Sequence, residues 1–114
     1  MNADRVYERL EFESLDHALV EIASGDPGQA SRALLAASLE APEPAWVEAC
    51  AIAFCAHDDR GLNRAGLLAL GHVARRFGSL NTAAAARVLN RLADTDLSGA
   101  VEDLRSDLQQ WGIL

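Results

Sequence analysis

The sequence predicts an all-α protein built from stacked pairs of helices. Half of its 114 residues are hydrophobic and only 5% are aromatic, and alanine, the residue with the highest helix propensity, occupies 22 positions. No stretch shows the sustained apolar–polar alternation of a strand. An offset of 35 residues superimposes Asp59 on Asp94 and Leu62 on Leu97. Repeats of this length are typical of stacked helix pairs, which serve as binding surfaces more often than as enzymes.

The first two predicted helices meet at Asp26. Residues 1–13 carry no clear pattern, and the first helix begins at Ser14, a favourable N-cap, and ends at Gly25. Asp26 then caps the second helix, with Pro27 at its first position, where the missing N–H costs nothing. The buried face of this second helix is predicted to contain Ala30, Ala33, Leu34 and Ala37.

The third and fourth predicted helices form a hairpin. The third runs from about Pro44 to His57, and Glu48 is its only charged residue, so we expect it to lie in the middle of the fold. The fourth runs from Arg60 to Phe77 after a connection of two or three residues, which forces the pair to be antiparallel. Its buried face is predicted to contain Leu62, Ala65, Ala69 and Val73.

The last two predicted helices meet at the segment Asp94-Thr95-Asp96. The fifth helix spans about Ala83 to Ala93 and is capped by Asn81 or Thr82. The buried face of the sixth helix is predicted to contain Leu97, Val101, Leu104, Leu108 and Trp111. The whole chain, residues 1–114, is therefore expected to be one domain of about six helices in three antiparallel hairpins, with residues 1–13 the least certain part.

The net charge of −7 is unevenly distributed. Residues 1–59 contain twelve acidic residues and three arginines, residues 60–93 six arginines and no acid, and residues 94–114 five acids and one arginine. An acidic total argues against direct nucleic-acid binding, because affinity there comes from neutralising phosphates with basic side chains. It suits a basic protein partner, whose approach it would accelerate, or simply a well-solvated surface.

Four arginines cluster on the fourth and fifth predicted helices. Arg75 and Arg76 lie at the C-terminal end of the fourth helix, where cations complement the helix dipole. Arg87 and Arg91 share one face of the fifth helix. We expect these arginines to pair internally with the acidic N- and C-terminal parts of the chain rather than to bind nucleic acid.

The aspartates at the helix boundaries are the first candidate binding surface. In a stack of hairpins the equivalent turns lie along one edge, so these side chains would form an acidic ridge that contacts a partner. Each can instead serve only as a cap, where a carboxylate accepts free N–H groups at the positive end of the next helix. The candidate residues are Asp58, Asp59, Asp94 and Asp96, with Asp26 on the same edge.

The exposed side of the sixth helix is the second candidate surface. It carries Glu102, Asp103 and Asp107 if Leu104 and Leu108 are buried. Asp103 and Asp107 are one helical turn apart, and like charges at that spacing are mildly destabilising. Such a pair favours use against a cationic partner, although it can also be tolerated at little cost.

No catalytic, cofactor or metal site is predicted. Cys50 and Cys55 cannot pair on one helix and are expected to be buried, inert thiols, which fits a reducing, cytoplasmic environment. His57, followed by Asp58 and Asp59, and the isolated His17 and His72 lack the spacing of a metal site. The N-terminus does not resemble a secretory signal, and the longest apolar run, residues 49–56, is too short to span a membrane.

Residues 58–74, with the sequence DDRGLNRAGLLALGHVA, resemble the second half of a HEAT repeat. That pattern is an acidic turn, an aliphatic residue and small residues leading to Ala-Leu-Gly. HEAT repeats often carry arginine after the aliphatic residue, whereas this chain has Asn63 there, followed by Arg64. The resemblance implies a short HEAT-like α-solenoid.

The order of parts also resembles a group of small bacterial HEAT-like immunity proteins of contact-dependent growth inhibition and related toxin systems. The shared parts are Ala-Ser-Gly-Asp-Pro at 23–27, Leu-Gly-His-Val-Ala-Arg-Arg-Phe-Gly at 70–78 and Gly-Ala-Val-Glu-Asp-Leu at 99–104. This resemblance implies a cytoplasmic, non-enzymatic protein that neutralises a basic toxin domain such as a nuclease. We expect the chain to be monomeric or weakly dimeric. The alternative is a generic HEAT-like scaffold for another protein or for a second copy, and Trp46 and Trp111 could serve either the core or an interface.

Overall fold

A computed structural model describes residues 26–40 and 44–114 of the chain. Over these residues it contains five α-helices and no strand, which confirms the all-α prediction for this part. The helix expected from Ser14, the segment 1–13 and His17 lie outside the described residues. The five helices are α1 (Pro27–Glu40), α2 (Pro44–Ala56), α3 (Arg60–Phe77), α4 (Thr82–Leu92) and α5 (Ser98–Gln110).

Helix α3 lies at the centre and packs against α1, α2 and α5. Its contact with α2 is antiparallel and very close at Gly66. A Cβ atom there would lie 2.7 Å from the carbonyl oxygen of Ala51 and 2.7 Å from the Cys55 Sγ. Only a residue without a side chain allows the two helices to approach to this distance.

Three helices, α1, α3 and α5, lie side by side in the same direction. Ser38 of α1 contacts His72 in the second half of α3, with 2.9 Å between Ser38 Oγ and His72 Nδ1. Arg60 at the start of α3 forms an ion pair with Asp96, just before α5, at 2.8 Å. At the other end, the Arg75 guanidinium lies 5.8 Å from the centre of the Trp111 ring. Helix α3 therefore runs parallel to both α1 and α5.

Helices α2 and α4 also run side by side in one direction. The backbone N–H of Asn81, before α4, donates to Glu48 Oε2 near the start of α2 at 2.8 Å. Near the opposite ends, Arg91 Nη1 donates to the carbonyl oxygen of Cys55 at 2.9 Å. The two pairs are 33 and 36 residues apart in sequence, close to the repeat found in the sequence.

The predicted core faces are confirmed, with two corrections. The four residues of the α1 stripe, the four of the α3 stripe and Leu97, Val101, Leu104 and Leu108 are all buried. Trp111 is 37% exposed, because α5 ends at Gln110 and the tryptophan leaves the direction of the buried stripe. Helix α2 is not enclosed on every side. Its outward face is formed by Ala45, Ala49, Ala53 and Ala56.

Candidate functional site

Asn63 closes the turn between α2 and α3. Its side chain is fully buried, and Nδ2 donates to the carbonyl oxygens of Phe54 and His57, both at 2.8 Å, with that of Cys55 at 3.2 Å. Its Oδ1 accepts from Arg60 Nη1 at 2.8 Å. The last carbonyl groups of a helix lack partners within the helix. Asn63 satisfies them and therefore serves the fold.

Within the described residues, these arginines contact helix ends and an aromatic ring. Arg91 donates to the Cys55 carbonyl, because the C-terminal end of α2 carries the negative end of the helix dipole. Arg76 donates to the carbonyl oxygen of Ser38 at 3.0 Å, at the end of α1. Arg75 lies over the Trp111 ring, and Arg87 is exposed. Two of these four arginines thus donate to carbonyl groups in the last turns of α1 and α2.

The aspartate turns have unequal roles. Asp59 accepts from the Leu62 N–H at 2.9 Å, and Asp26 accepts from the Gly28 N–H at 2.9 Å, so both cap the following helix. Neither Asp94 nor Asp96 caps α5, which corrects the expectation for that turn. Thr95 stabilises the turn itself: its Oγ1 accepts from the Leu97 N–H at 3.1 Å and donates to the Leu92 carbonyl at 2.6 Å, and α5 begins without a side-chain cap.

The remaining turn residues do not form a purely acidic ridge. The Asp96 carboxylate forms an ion pair with Arg60, and this pair joins the α2–α3 turn to the α4–α5 turn. Both side chains are about half exposed or more, so the pair contributes little to stability. Asp58 and Asp94 are exposed. The structure therefore brings the two turns together, but with an arginine among the carboxylates.

A groove of about 180 Å³ runs between α3 and α5. Its apolar walls include Leu68, which is 49% exposed, and the partly exposed Trp111. Asp103, which is exposed, and Asp107, which is half-buried, stand on the α5 side. The lining residues are Leu67, Leu68, Gly71, His72 and Arg75 of α3 with Ala100, Asp103, Leu104, Asp107 and Trp111 on the α5 side.

The two carboxylates of the groove are available for a partner. Within the described part of the chain, neither the Asp103 nor the Asp107 carboxylate forms an ion pair or a hydrogen bond. Glu102, the third acidic candidate on α5, is exposed outside the groove, and its Oε2 lies 3.8 Å from Arg105 Nε. Two of the seven predicted partner-binding residues therefore meet at one apolar depression.

His72 is neutral at the groove wall near neutral pH. Its pKa is lowered from the ordinary value, first by burial and second by the positive charge of Arg75. Among the described residues, the charged groups that line the groove are then the carboxylates of Asp103 and Asp107 and the guanidinium of Arg75. Since two negative groups face one positive group, the groove carries an excess of negative charge.

The two thiols are buried and protonated. Burial raises the pKa of Cys50, and it raises the pKa of Cys55 to about 12 although the nearby Arg91 acts in the opposite direction. Both cysteines are free. Because the thiolate is the reactive form, neither residue has the properties of a nucleophile.

Two further observations concern metal and membrane. The described residues contain no group of three or more His, Cys, Asp or Glu side chains that could hold a metal ion. His57 is occupied locally, because its Nδ1 accepts from the Asp59 N–H at 3.2 Å. None of the helices in the described ranges has the length and apolar character needed to cross a membrane.

Sequence reasoning missed the α3 side of the groove. Leu68 carries a signal in the sequence, because it is a large apolar residue four positions from both Arg64 and His72 on the polar face of α3. Gly71 carries a second signal, since a small residue beside Leu68 leaves room for a depression. What could not be read from the sequence is that Trp111 faces this position.

Comparison of the chain with models of protein families, with curated proteins and with solved structures finds no match. The groove between α3 and α5 is thus the feature of the described residues that bears most directly on function.

Proposed function

We propose that this protein is an immunity protein, which binds a basic toxin domain, a nuclease, and neutralises it by covering its active-site surface. The single observation that carries this proposal is the α3–α5 groove. There, two carboxylates without a partner among the described residues stand beside the exposed side chains of Leu68 and Trp111. Exposed apolar anchors next to charged groups are typical of protein interfaces, where tryptophan is enriched among the residues that dominate binding.

The proposed architecture is a short HEAT-like α-solenoid of six helices in three hairpins. It is supported by the parallel packing of α1, α3 and α5 and of α2 with α4. In such a stack each unit contacts mainly its neighbours, and equivalent helices line an extended binding surface. The groove between α3 and α5 would be one part of that surface.

The proposed mechanism is electrostatic and steric. A nuclease holds its substrate with lysine and arginine side chains that neutralise phosphates. The carboxylates of Asp103 and Asp107 would meet these cations, and the exposed carboxylates of Asp58 and Asp94 would add to the long-range attraction. The role requires no catalysis, cofactor or metal, and it places the protein in the cytoplasm as a monomer or weak dimer.

Co-expression with the toxin domain encoded beside this gene tests the proposal, with growth as the readout. The parent chain should protect the cells, and Asp103→Arg combined with Asp107→Arg should lower protection. Association of the purified proteins should be about tenfold slower for this variant and should weaken with salt. A control with the same change of net charge, Asp94→Arg combined with Glu102→Arg, alters exposed carboxylates outside the groove and should retain more binding.

The outcomes separate the proposal from its alternative. If the groove variant protects as well as the parent, the groove is not the recognition surface. If no neighbouring gene encodes a toxin, or the chain fails to protect against one, the generic HEAT-like scaffold is the better description. Equal losses in the groove variant and the control would mean that total charge, rather than the groove, determines binding.

A further inference from the structure

We infer that the groove between α3 and α5 receives a single arginine side chain of the partner, with its aliphatic stem against Leu68 and Leu104 and its guanidinium at Asp103 and Asp107. This inference rests on the proposed function in one respect, since it assumes that the partner is a protein. It names the chemical group by which that partner is recognised.

The size of the groove favours one side chain. Its volume is about 180 Å³, whereas sites for cofactors and drug-sized ligands occupy about 300–1,000 Å³. The helices of the groove are fixed by buried residues on both sides, including Leu67 at 3% and Leu104 at 5% exposure. A whole helix or a cofactor would therefore not fit without separating α3 from α5.

The walls require an apolar stem. Leu68 and Trp111 expose apolar surface that a partner side chain can cover. Gly71 leaves space, because among the described residues a Cβ there would meet only the end of Leu104, at 3.7 Å. Covering exposed apolar surface is favourable in proportion to the area removed from water. A short polar side chain would leave the apolar surface of Leu68 and Trp111 exposed to water.

The charges require a cationic head. A purely apolar guest would remove water from the Asp103 and Asp107 carboxylates without supplying hydrogen bonds, which is costly. An acidic guest would meet two like charges and a neutral His72. Among the described lining residues, its one charged attraction would be to Arg75, which already lies over the Trp111 ring. A cation satisfies the carboxylates.

Arginine fits better than lysine for two geometric reasons. Its planar guanidinium donates in parallel to a carboxylate, whereas an ammonium acts as a point charge. The guanidinium also stacks on aromatic rings, and Trp111 already accepts Arg75 in this way at 5.8 Å.

The test is an NMR titration of the parent protein with N-acetylarginine amide, N-acetylcitrulline amide and N-acetylglutamate amide. Citrulline has the shape of arginine without its charge. The arginine compound should shift the Trp111 indole and the Gly71 and Ala100 amide signals saturably in the millimolar range. Citrulline should bind at least about tenfold more weakly, because hydrogen bonds between charged groups are roughly twice as strong as neutral ones.

Two variants test whether the Asp103 and Asp107 carboxylates cause the preference for arginine over citrulline. Asp103→Asn combined with Asp107→Asn should bind the arginine and citrulline compounds equally, while Glu102→Gln on the same helix should keep the parent's preference. Equal binding of arginine and citrulline by the parent, stronger binding of the glutamate compound, or no saturable shift would each overturn the inference. Because the probes need no toxin, a chain that prefers arginine but fails to protect cells would refute the proposed partner and leave this inference standing.

Discussion

The α2–α3 turn and the α3–α5 groove use the same kinds of residue in opposite ways. In the turn, the Asn63 side chain is fully buried and bonded at both ends, the Asp59 carboxylate caps α3, and Arg91 reaches across to the Cys55 carbonyl. In the groove, the Asp103 and Asp107 carboxylates form no such bond within the described chain. Polar groups that already form hydrogen bonds within the chain hold the fold together, whereas polar groups without such bonds are available for a partner.

The largest loss of stability is expected at the turn. Replacing Asn63 with alanine removes the side-chain donor of the His57 carbonyl and one of two donors to each of the Phe54 and Cys55 carbonyls, which keep the His57 N–H and Arg91. It also empties a fully buried site, and the loss of buried hydrogen bonds costs about 1–3 kcal/mol for each group left unsatisfied. We expect Asn63→Ala to lower the free energy of unfolding by about 3 kcal/mol, measured by urea denaturation. The control is Asn90→Ala, an exposed asparagine within α4, which should change stability by less than about 0.5 kcal/mol. Similar effects of the two substitutions would show that Asn63 does not close the turn.

The next largest effect is expected where α2 and α3 approach most closely. A methyl group at position 66 would lie 2.7 Å from the Ala51 carbonyl oxygen, which is backbone and cannot move aside alone. We expect Gly66→Ala to cost about 1–3 kcal/mol through overpacking, despite the better helix propensity of alanine. Gly99→Ala is the matched control, since nothing lies within 4 Å of its added Cβ, and it should raise stability slightly. A stable Gly66→Ala protein would mean that the helices are farther apart.

The sequence predicted the helices and their buried faces because both depend on local pattern. The 35-residue offset that superimposes Ala69 on Leu104 identified two residues that are indeed buried in the same way. The functions of Asn63 and Thr95 could not be predicted, since each depends on backbone groups brought close by the turn itself. The groove could be predicted only in part. The position of Asp103 and Asp107 on the outer side of α5 could be predicted from the apolar pattern of that helix. The contact between Trp111 and Arg75 could not, because it arises from the packing of α3 on α5.

Removing the groove carboxylates should leave the fold intact. Asp103 and Asp107 are like charges one turn apart, and Asp107 lies near the negative end of the α5 dipole. We therefore expect Asp103→Asn combined with Asp107→Asn to unfold at the same urea concentration as the parent, or to be more stable by about 0.3 kcal/mol. Partner association should nevertheless slow. A clear loss of stability would contradict the contrast between the two regions, because it would show that these carboxylates already have a role in the fold.

The smallest effect concerns His72, which touches both α1 and the groove. Its pKa in the folded chain is lowered by burial and by Arg75, so the unfolded chain binds the proton more readily. The contribution of neutral His72 to the free energy of unfolding is therefore fully present above the ordinary histidine pKa of about 6.5. As the pH falls below that value this contribution decreases, and the decrease ends once the pH is below the lowered pKa of the folded chain.

Urea denaturation of the parent and of His72→Gln at several pH values isolates this contribution, because the aspartates and glutamates are common to both proteins. Between neutral pH and the lowered pKa, the parent should become progressively less stable relative to the variant. The opposite trend would mean that the charged imidazole is favoured in the folded protein. Asp103 and Asp107 would then outweigh Arg75 at this position, and the groove would be more strongly negative than the arrangement of its side chains indicates. The preference for a cationic partner would then be larger than expected, and His72 would compete with that partner at low pH.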